Sequence, residues 1–311
     1  MNGWIRVFSP ATIGNIGPGF DVLGMAVKGL GDIVEARRIP SGVRVASVQS
    51  AAALPRDPRK NTAAIAAANV FKFIHARGGI ELKVIKGLPI GSGLGSSAAS
   101  AAAGAFAANH LYGRELSTEQ LILAATQAEA AVSGGFFADN TAPALLGGAT
   151  LTRCCVPLDV TRIGIIRRLK IVLVTPQIVV LTRNARKILP TEVPMASFVH
   201  NMANTALITA AFAKNDYSLF ARSLNDIVVE PVRAQLIHGF PQVKENALRA
   251  GADGVAISGS GPTVFAITDN IRKARAIEKQ MVLTFNALGI PSRSWVTTMD
   301  PHGTRLVEPE K

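Results

Sequence analysis

Aromatic residues are scarce in this chain, 5% of 311 residues, with two tyrosines and two tryptophans. So few rings cannot build the interleaved stacking surface that single-stranded nucleic acid requires. Cysteine is scarcer still. Cys154 and Cys155 are the whole complement; neighbours seldom bridge, and two adjacent thiols make no metal site without further Cys or His nearby. Such usage fits a reducing compartment, and the cytoplasm is the expected location. The longest apolar stretch, Ala98 to Ala108, is alanine-rich and short of the about 20 residues a membrane helix needs. No apolar signal segment opens the sequence, so no membrane partner is expected. Acidic residues are outnumbered, 21 against 33 lysines and arginines, for a net charge of +12. The basic residues are scattered, with the densest groups at Arg37-Arg38, Arg56 to Lys60 and Arg167 to Lys170. That pattern argues against nucleic acid as a partner and suits an enzyme drawing in anionic or carboxylate substrates.

What is present is a large apolar content, 48%, against 17% charged residues. This is a globular chain of one large or two ordinary domains. Its most informative stretch is Gly87 to Ser100, G-L-P-I-G-S-G-L-G-S-S-A-A-S. Glycines at 87, 91, 93 and 95 let backbone approach a ligand closely, and small helix-compatible residues follow to Asn109. A glycine-rich loop feeding a helix N-terminus aims N–H groups and partial positive charge at one spot, which is a phosphate site. It is not the G-x-x-x-x-G-K-[ST] loop, because no lysine stands in the required place.

Periodicity predicts an opening strand at Ile5 to Phe8, a glycine- and proline-rich loop from Ser9 to Gly19, and strands at Val43 to Val48 and Ile80 to Ile85, the last half-exposed. Helices are expected over Thr62 to Ala76 and from the Ser117–Gln120 capping box to Val132, stopped by Gly134. Ala149 to Thr152 reads as a strand. After a charged stretch at Pro157 to Arg168, strands are expected near Ile171 to Val174 and Val179 to Thr182. Helices follow over Pro194 to Lys214, Tyr217 to Asn225, Val232 to Leu236 and Gln242 to Ala250. A hairpin, Val255 to Ile257 with Val264 to Thr268, then a helix from Ile271 to Leu288 and a strand at Ser292 to Thr298 close the pattern. Irregular alternation predicts an α+β fold, not a doubly wound sheet. Two further segments, S-P-A-T-I-G-N-I-G-P-G-F-D at Ser9 to Asp21 and S-G-S-G-P-T at Ser258 to Thr263, share the glycine-rich composition. Three such loops, early, central and late, suggest one cleft lined from both halves.

In order and wording these three segments resemble the GHMP small-molecule kinases, named for galactokinase, homoserine kinase, mevalonate kinase and phosphomevalonate kinase. P-A-T-x-x-N-x-G-P-G-F-D-V-L-G at Pro10 to Gly24, the loop at Gly93 to Ala99, T-x-x-A-R-x-I-L-P at Thr182 to Pro190 and E-P-x-R at Glu230 to Arg233 match the homoserine-phosphorylating members. The resemblance spans essentially the whole chain. It implies a two-domain GHMP kinase fold: an N-terminal ATP-binding domain like the second domain of ribosomal protein S5 over 1–160, and a ferredoxin-like domain over 161–311. It also implies ATP and L-homoserine as substrates, with Mg²⁺ as cofactor; a homodimer is compatible with it.

Residue by residue, the resemblance implies that Gly91, Ser92, Gly93, Leu94 and Gly95 wrap the ATP phosphates, and that Pro89, Ser96, Ser97, Gly259, Ser260 and Gly261 also bind ATP. Asn61 would contact adenine; a helix N-cap is its alternative. Ser96 or Ser97 and Glu129 would bind the metal, since Mg²⁺ favours few carboxylates plus phosphates. An exposed helical glutamate is the alternative for Glu129. Asp21 would hold the acceptor's ammonium, Arg186 and Arg233 its carboxylate, and Asn15, Asn140 and Thr182 its hydroxyl end. Asn140, Asp139, Glu129 and Arg186 are the candidate catalytic group, with Asp139 or the γ-phosphate itself receiving the proton. One departure is plain. The family's H-A-D-N reads F-A-D-N here, so Phe137 cannot donate the hydrogen bond the histidine would, at an expected cost of about 0.5–1.5 kcal/mol. A kinase for another hydroxylated acceptor and a non-catalytic sensor on the same fold are the competing readings.

Overall fold

The computed structural model describes residues 3–308. A seven-stranded sheet is built from β1 (Ile5–Gly14), β2 (Leu23–Ile39), β3 (Gly42–Gln49), β4 (Gly79–Ile85), β5 (Ala149–Cys155), β6 (Leu158–Gly164) and β11 (Arg305–Leu306). Its order is β11-β1-β2-β4-β3, with β5 on β2 and β6 on β5. The helices of this half are α1 (Thr62–Phe73), α2 (Ser96–Leu111), α3 (Thr118–Ser133) and α4 (Thr141–Leu146). A second, antiparallel sheet has the order β10-β7-β9-β8, from β7 (Lys170–Pro176), β8 (Gly254–Ile257), β9 (Val264–Thr268) and β10 (Ser292–Thr297). Between β7 and β8 run α5 (Thr182–Lys187), α6 (Met195–Lys214), α7 (Tyr217–Ser223), α8 (Glu230–Arg233) and α9 (Phe240–Arg249); α10 (Ile271–Ala287) joins β9 to β10. This β-α-β-β-α-β succession, with the first strand between the fourth and the third, is the ferredoxin-like arrangement.

Small side chains explain how the first half packs. α2 is buried nearly all round by Ala98, Ala99, Ala101 to Ala103, Ala105, Ala107 and Ala108, so it shows no polar face. Where α1 crosses it, a Cβ on Gly104 would meet the Cα of Ala63 at 2.7 Å; only glycine admits that approach. One apolar cluster lies between α1–α3 and the first sheet, and a third lies between the second sheet and α9 and α10. The cluster joining the halves brings Ile13, Leu23 and Met25 against Ile171, Leu173 and Phe265.

Several expectations change. β1 extends to Gly14, so part of the expected loop is strand. β4 lies between β2 and β3, which buries Glu81 to 1% exposure between Arg37 and Arg44 of its neighbours; it is an interior strand, not a half-exposed one. Val179 to Thr182 forms no strand: Thr182 opens α5, and Val179 stands exposed. β-branched residues favour a strand only where a partner strand exists. β6 pairs only with β5, and such an edge carries charge readily, which is why Asp159 and Arg162 hid it. The chain crosses between the sheets after Gly164, inside the charged stretch at 157–168, and β11 returns it to the first sheet. Among the described residues no helix is long and apolar enough to cross a membrane.

Candidate active site

The three glycine-rich segments meet. The end of β1 receives the central loop through Thr12 N–H to Leu94 O (3.1 Å), and Gly259 N–H donates to Gly14 O (3.1 Å). The central loop and the β8–β9 turn are tied by Thr263 N–H to Ser92 O (3.0 Å) and Ser258 Oγ–H to Gly93 O (2.7 Å). Gly93 holds φ +78°, and a Cβ there would strike the Gly261 carbonyl oxygen at 2.8 Å. Asn15, Ile16 and Asp21 also hold left-handed backbone, at φ +69°, +49° and +59°. Asparagine and aspartate adopt that conformation more readily than other residues, so the β-branched Ile16 is the strained one.

Between these loops lies a cavity of about 420 Å³, a size suited to a small-molecule site. One wall is the start of α2. Gly95 caps it in left-handed conformation without a side-chain cap bond, so the first-turn N–H groups are left for an outside acceptor. The Oγ atoms of Ser96 and Ser97 are buried without hydrogen-bond partners, and Glu129, near the end of α3, lines the same space. Two hydroxyls beside one carboxylate suit a hard cation that takes its remaining ligands from phosphate and water.

Another part of the lining carries two arginines. Arg186 of α5 makes two bonds to Asp21, at 3.0 and 2.8 Å. Its guanidinium lies 4.2 Å from the Phe137 ring centroid and 5.2 Å from that of Phe20. Arg233 of α8 stacks on Phe20 at 4.9 Å and donates from Nη1 to Gly259 O at 2.9 Å. Burial chiefly lowers the Arg233 pKa, with Asp21 opposing. Phe137 thus meets the guanidinium that the acceptor reading needs, a role its lack of a hydrogen-bond donor did not announce.

Two carboxyls face the cavity with displaced proton affinities. Burial, then repulsion from Asp139, pushes Glu129 up to about 8. Burial, then the charge of Asp21, pushes Asp139 up to about 7, against the pull of Arg186 and Arg233. Asn140 accepts from Thr12 Oγ at 2.8 Å. Asn15 is engaged at both ends, donating to Gly259 O (2.9 Å) and accepting from Asp21 N–H (3.0 Å).

Sixteen of the expected residues line the cavity: Asn15, Asp21, Gly91, Ser92, Gly93, Gly95, Ser96, Ser97, Glu129, Asp139, Asn140, Thr182, Arg186, Arg233, Gly259 and Ser260. Asn61, Pro89, Leu94 and Gly261 do not. Leu94 is fully buried in the core, and Gly261 closes the turn by donating to Ser258 O at 2.8 Å. Asn61 caps α1: its Oδ1 accepts from Ala64 N–H at 3.3 Å and its Nδ2 donates to Pro55 O at 3.2 Å. Arg183, Lys187, Gly134 and Gly135 also line the cavity without having been anticipated. Helical spacing puts Arg183 and Lys187 beside Thr182 and Arg186, a signal hidden while the start of that segment read as a strand.

An open helix terminus with unpartnered hydroxyls, a carboxyl group and two arginines lining one cavity fit a phosphoryl-transferring enzyme for small molecules. Residues 61–148 match the model of the GHMP kinases N-terminal domain, and residues 208–287 that of the GHMP kinases C-terminal domain. The chain is 40% identical to the homoserine kinase of Chloroherpeton thalassium, covering 96% of this chain and 98% of that protein. It is 45% identical to the homoserine kinase of Arabidopsis thaliana, covering 97% and 84%. The crystal structure of homoserine kinase from Cytophaga hutchinsonii superimposes with a TM-score of 0.94 at 40% identity, covering 99% of this chain and 98% of that one. The chain belongs to the GHMP kinase family of ATP-dependent kinases.

Proposed function

We propose that this protein transfers the γ-phosphoryl group of ATP to the side-chain hydroxyl of L-homoserine, giving O-phospho-L-homoserine. The observation that carries this reading is that Asp21, Arg186 and Arg233 line the same single cavity as Ser96, Ser97 and Glu129. A zwitterionic amino acid needs both an anion and cations, and Asp21 with Arg186 and Arg233 supplies both. The similarity to homoserine kinases over nearly the whole chain supports the same choice.

In this reading the glycine loop and the first turn of α2 hold the ATP phosphates through N–H groups. Ser96 or Ser97 and Glu129 would hold Mg²⁺, which when bound neutralises charge on the phosphates. Asp21 releases Arg186 to take the acceptor's ammonium, while Arg186 and Arg233 take its carboxylate, so one internal ion pair is exchanged for two external ones. Asn140 and Thr182, with the remaining N–H of Asn15, orient the hydroxyl. The bond from the γ-phosphorus to the bridging oxygen of ADP breaks as the hydroxyl oxygen attacks. Asp139 or the γ-phosphate itself would receive the hydroxyl proton, and the raised pKa of Asp139 suits a base working near neutrality. A cytoplasmic location, which fits the unpaired Cys154 and Cys155, and a homodimer, testable by sedimentation, belong to the same proposal.

ADP release is the test. L-Homoserine at millimolar concentration should accelerate it strongly, and L-serine, L-threonine and mevalonate should not. No acceleration by homoserine would refute the proposal.

A further inference from the structure

Behind the glycine loop, on the side away from the cavity, lies a charged cluster that the chemistry above leaves unused. Lys86 and Asp32 form an ion pair with side chains only 5% and 0% exposed. Lys86 Nζ also donates to Ser96 O and to Ser100 Oγ, both at 2.8 Å. Ser100 Oγ–H in turn donates to Asp32 Oδ2 at 2.8 Å. The other carboxylate oxygen, Oδ1, accepts from Gly87 N–H at 3.1 Å and Leu88 N–H at 3.3 Å.

A buried ion pair is a poor way to gain stability, because desolvation cancels much of the attraction and apolar residues of equal volume often serve as well. Direction is what the pair adds. Asp32 fixes the two N–H groups where the chain leaves β4 for the loop. Lys86 fixes a carbonyl in the first turn of α2, on the residue whose unpartnered hydroxyl faces the cavity. The loop between them carries left-handed glycines at 91, 93 and 95 and has little stiffness of its own.

We propose that Asp32, Lys86 and Ser100 are positioning residues that clamp both ends of the glycine loop, holding its N–H groups and the Ser96 and Ser97 hydroxyls in register for Mg²⁺-nucleotide. This rests on the reading of the loop as the ATP site. The cluster touches no substrate and acts only through the backbone of Gly87, Leu88 and Ser96.

The test is equilibrium binding of Mg²⁺-ATP by calorimetry without acceptor, alongside thermal unfolding and steady-state kinetics. The double variant D32N/K86M keeps an oxygen for Gly87 and Leu88 and leaves no buried charge unpaired, but removes the ammonium from Ser96 O. It should bind nucleotide about tenfold more weakly, with the KM for homoserine unchanged and amide exchange faster between residues 91 and 97. A lowered Tm with unchanged nucleotide affinity would make the cluster purely structural and overturn the proposal. If the double variant does not fold, S100A decides. About threefold weaker nucleotide binding is expected of it, and wild-type affinity would overturn the proposal. Failure of the wild-type protein to bind Mg²⁺-ATP would instead sink the reading of the loop on which the proposal stands.

Discussion

Replacing Phe137 with leucine removes the ring lying 4.2 Å from Cζ of Arg186. The two bonds to Asp21 and the more distant ring of Phe20 remain. A guanidinium over an aromatic face is worth about 0.5–1 kcal/mol when exposed and about 2 when desolvated. The Arg186 side chain is 36% exposed, so about 1 kcal/mol applies. If the guanidinium orients the acceptor's carboxylate, F137L should raise the KM for homoserine about fivefold, with kcat and the KM for ATP unchanged. F137Y and F137W keep a ring and should stay near wild type. F137H trades the ring face for a donor. Below its pKa of about 6.5 the imidazolium would repel Arg186, so homoserine affinity should fall more steeply on acidification in this variant than in the wild type. Steady-state assays at saturating ATP measure all of these. Equal KM values for F137L and F137Y would refute the stacking role. Stacking of the Phe137 ring on Arg186 is comparable in energy to the hydrogen bond that a histidine would have donated, so Phe137 is compatible with an amino-acid acceptor.

Glu129→Ala should lower kcat by about 10²–10³ while leaving amino-acid binding intact, whereas Arg233→Leu should raise the homoserine KM about tenfold or more. Identical profiles for the two would collapse the division into nucleotide and acceptor subsites. Glu129 and Asp139 titrate near 8 and 7 in the folded protein, above ordinary carboxyls. Their contribution to stability is therefore full below pH about 4 and is lost as pH rises through those values. Bound Mg²⁺-ATP favours the ionised forms, so binding near neutral pH should release protons, seen by calorimetry in buffers of different ionisation enthalpy, and Glu129→Gln should diminish the release. Absence of proton release would contradict the assignment of Glu129 to the metal. Asn61→Ala should cost about 1 kcal/mol of stability through the lost cap of α1, read by denaturant unfolding. Asn61→Ser restores a cap and should leave the KM for ATP unchanged; a rise there would return Asn61 to the adenine subsite.

Much of the site was legible because its residues sit in motifs whose spacing is local. The glycine loop, the capping box at Ser117 and the stop at Gly134 depend on backbone conformation and near-neighbour hydrogen bonds, which a short stretch of sequence dictates. The helix carrying Thr182 and Arg186 was harder to place. Ile178, Val179, Val180 and Leu181 have strand propensity, yet no strand accompanies them, and Arg183 and Lys187 stayed hidden with the helix. Asn61 offered two readings, and only the positions of Ala64 N–H and Pro55 O favour the cap. Glu81 likewise looked solvent-facing until Arg37 and Arg44 closed over it from both sides.

By itself, then, the sequence determined the elements that rest on local chemistry: the glycine-rich loop feeding an alanine-rich helix, the caps and turns, and the α+β character. It also supplied the set of charged residues a zwitterionic acceptor would need. The tertiary structure alone decided which of these residues meet. Asp21 and Arg186 are far apart in the chain yet bonded, Phe137 meets a guanidinium, and Asp32 accepts from Gly87 and Leu88 N–H while pairing with Lys86. Such contacts join segments remote in sequence, and they exist only because two sheets and their helices pack about a shared apolar core.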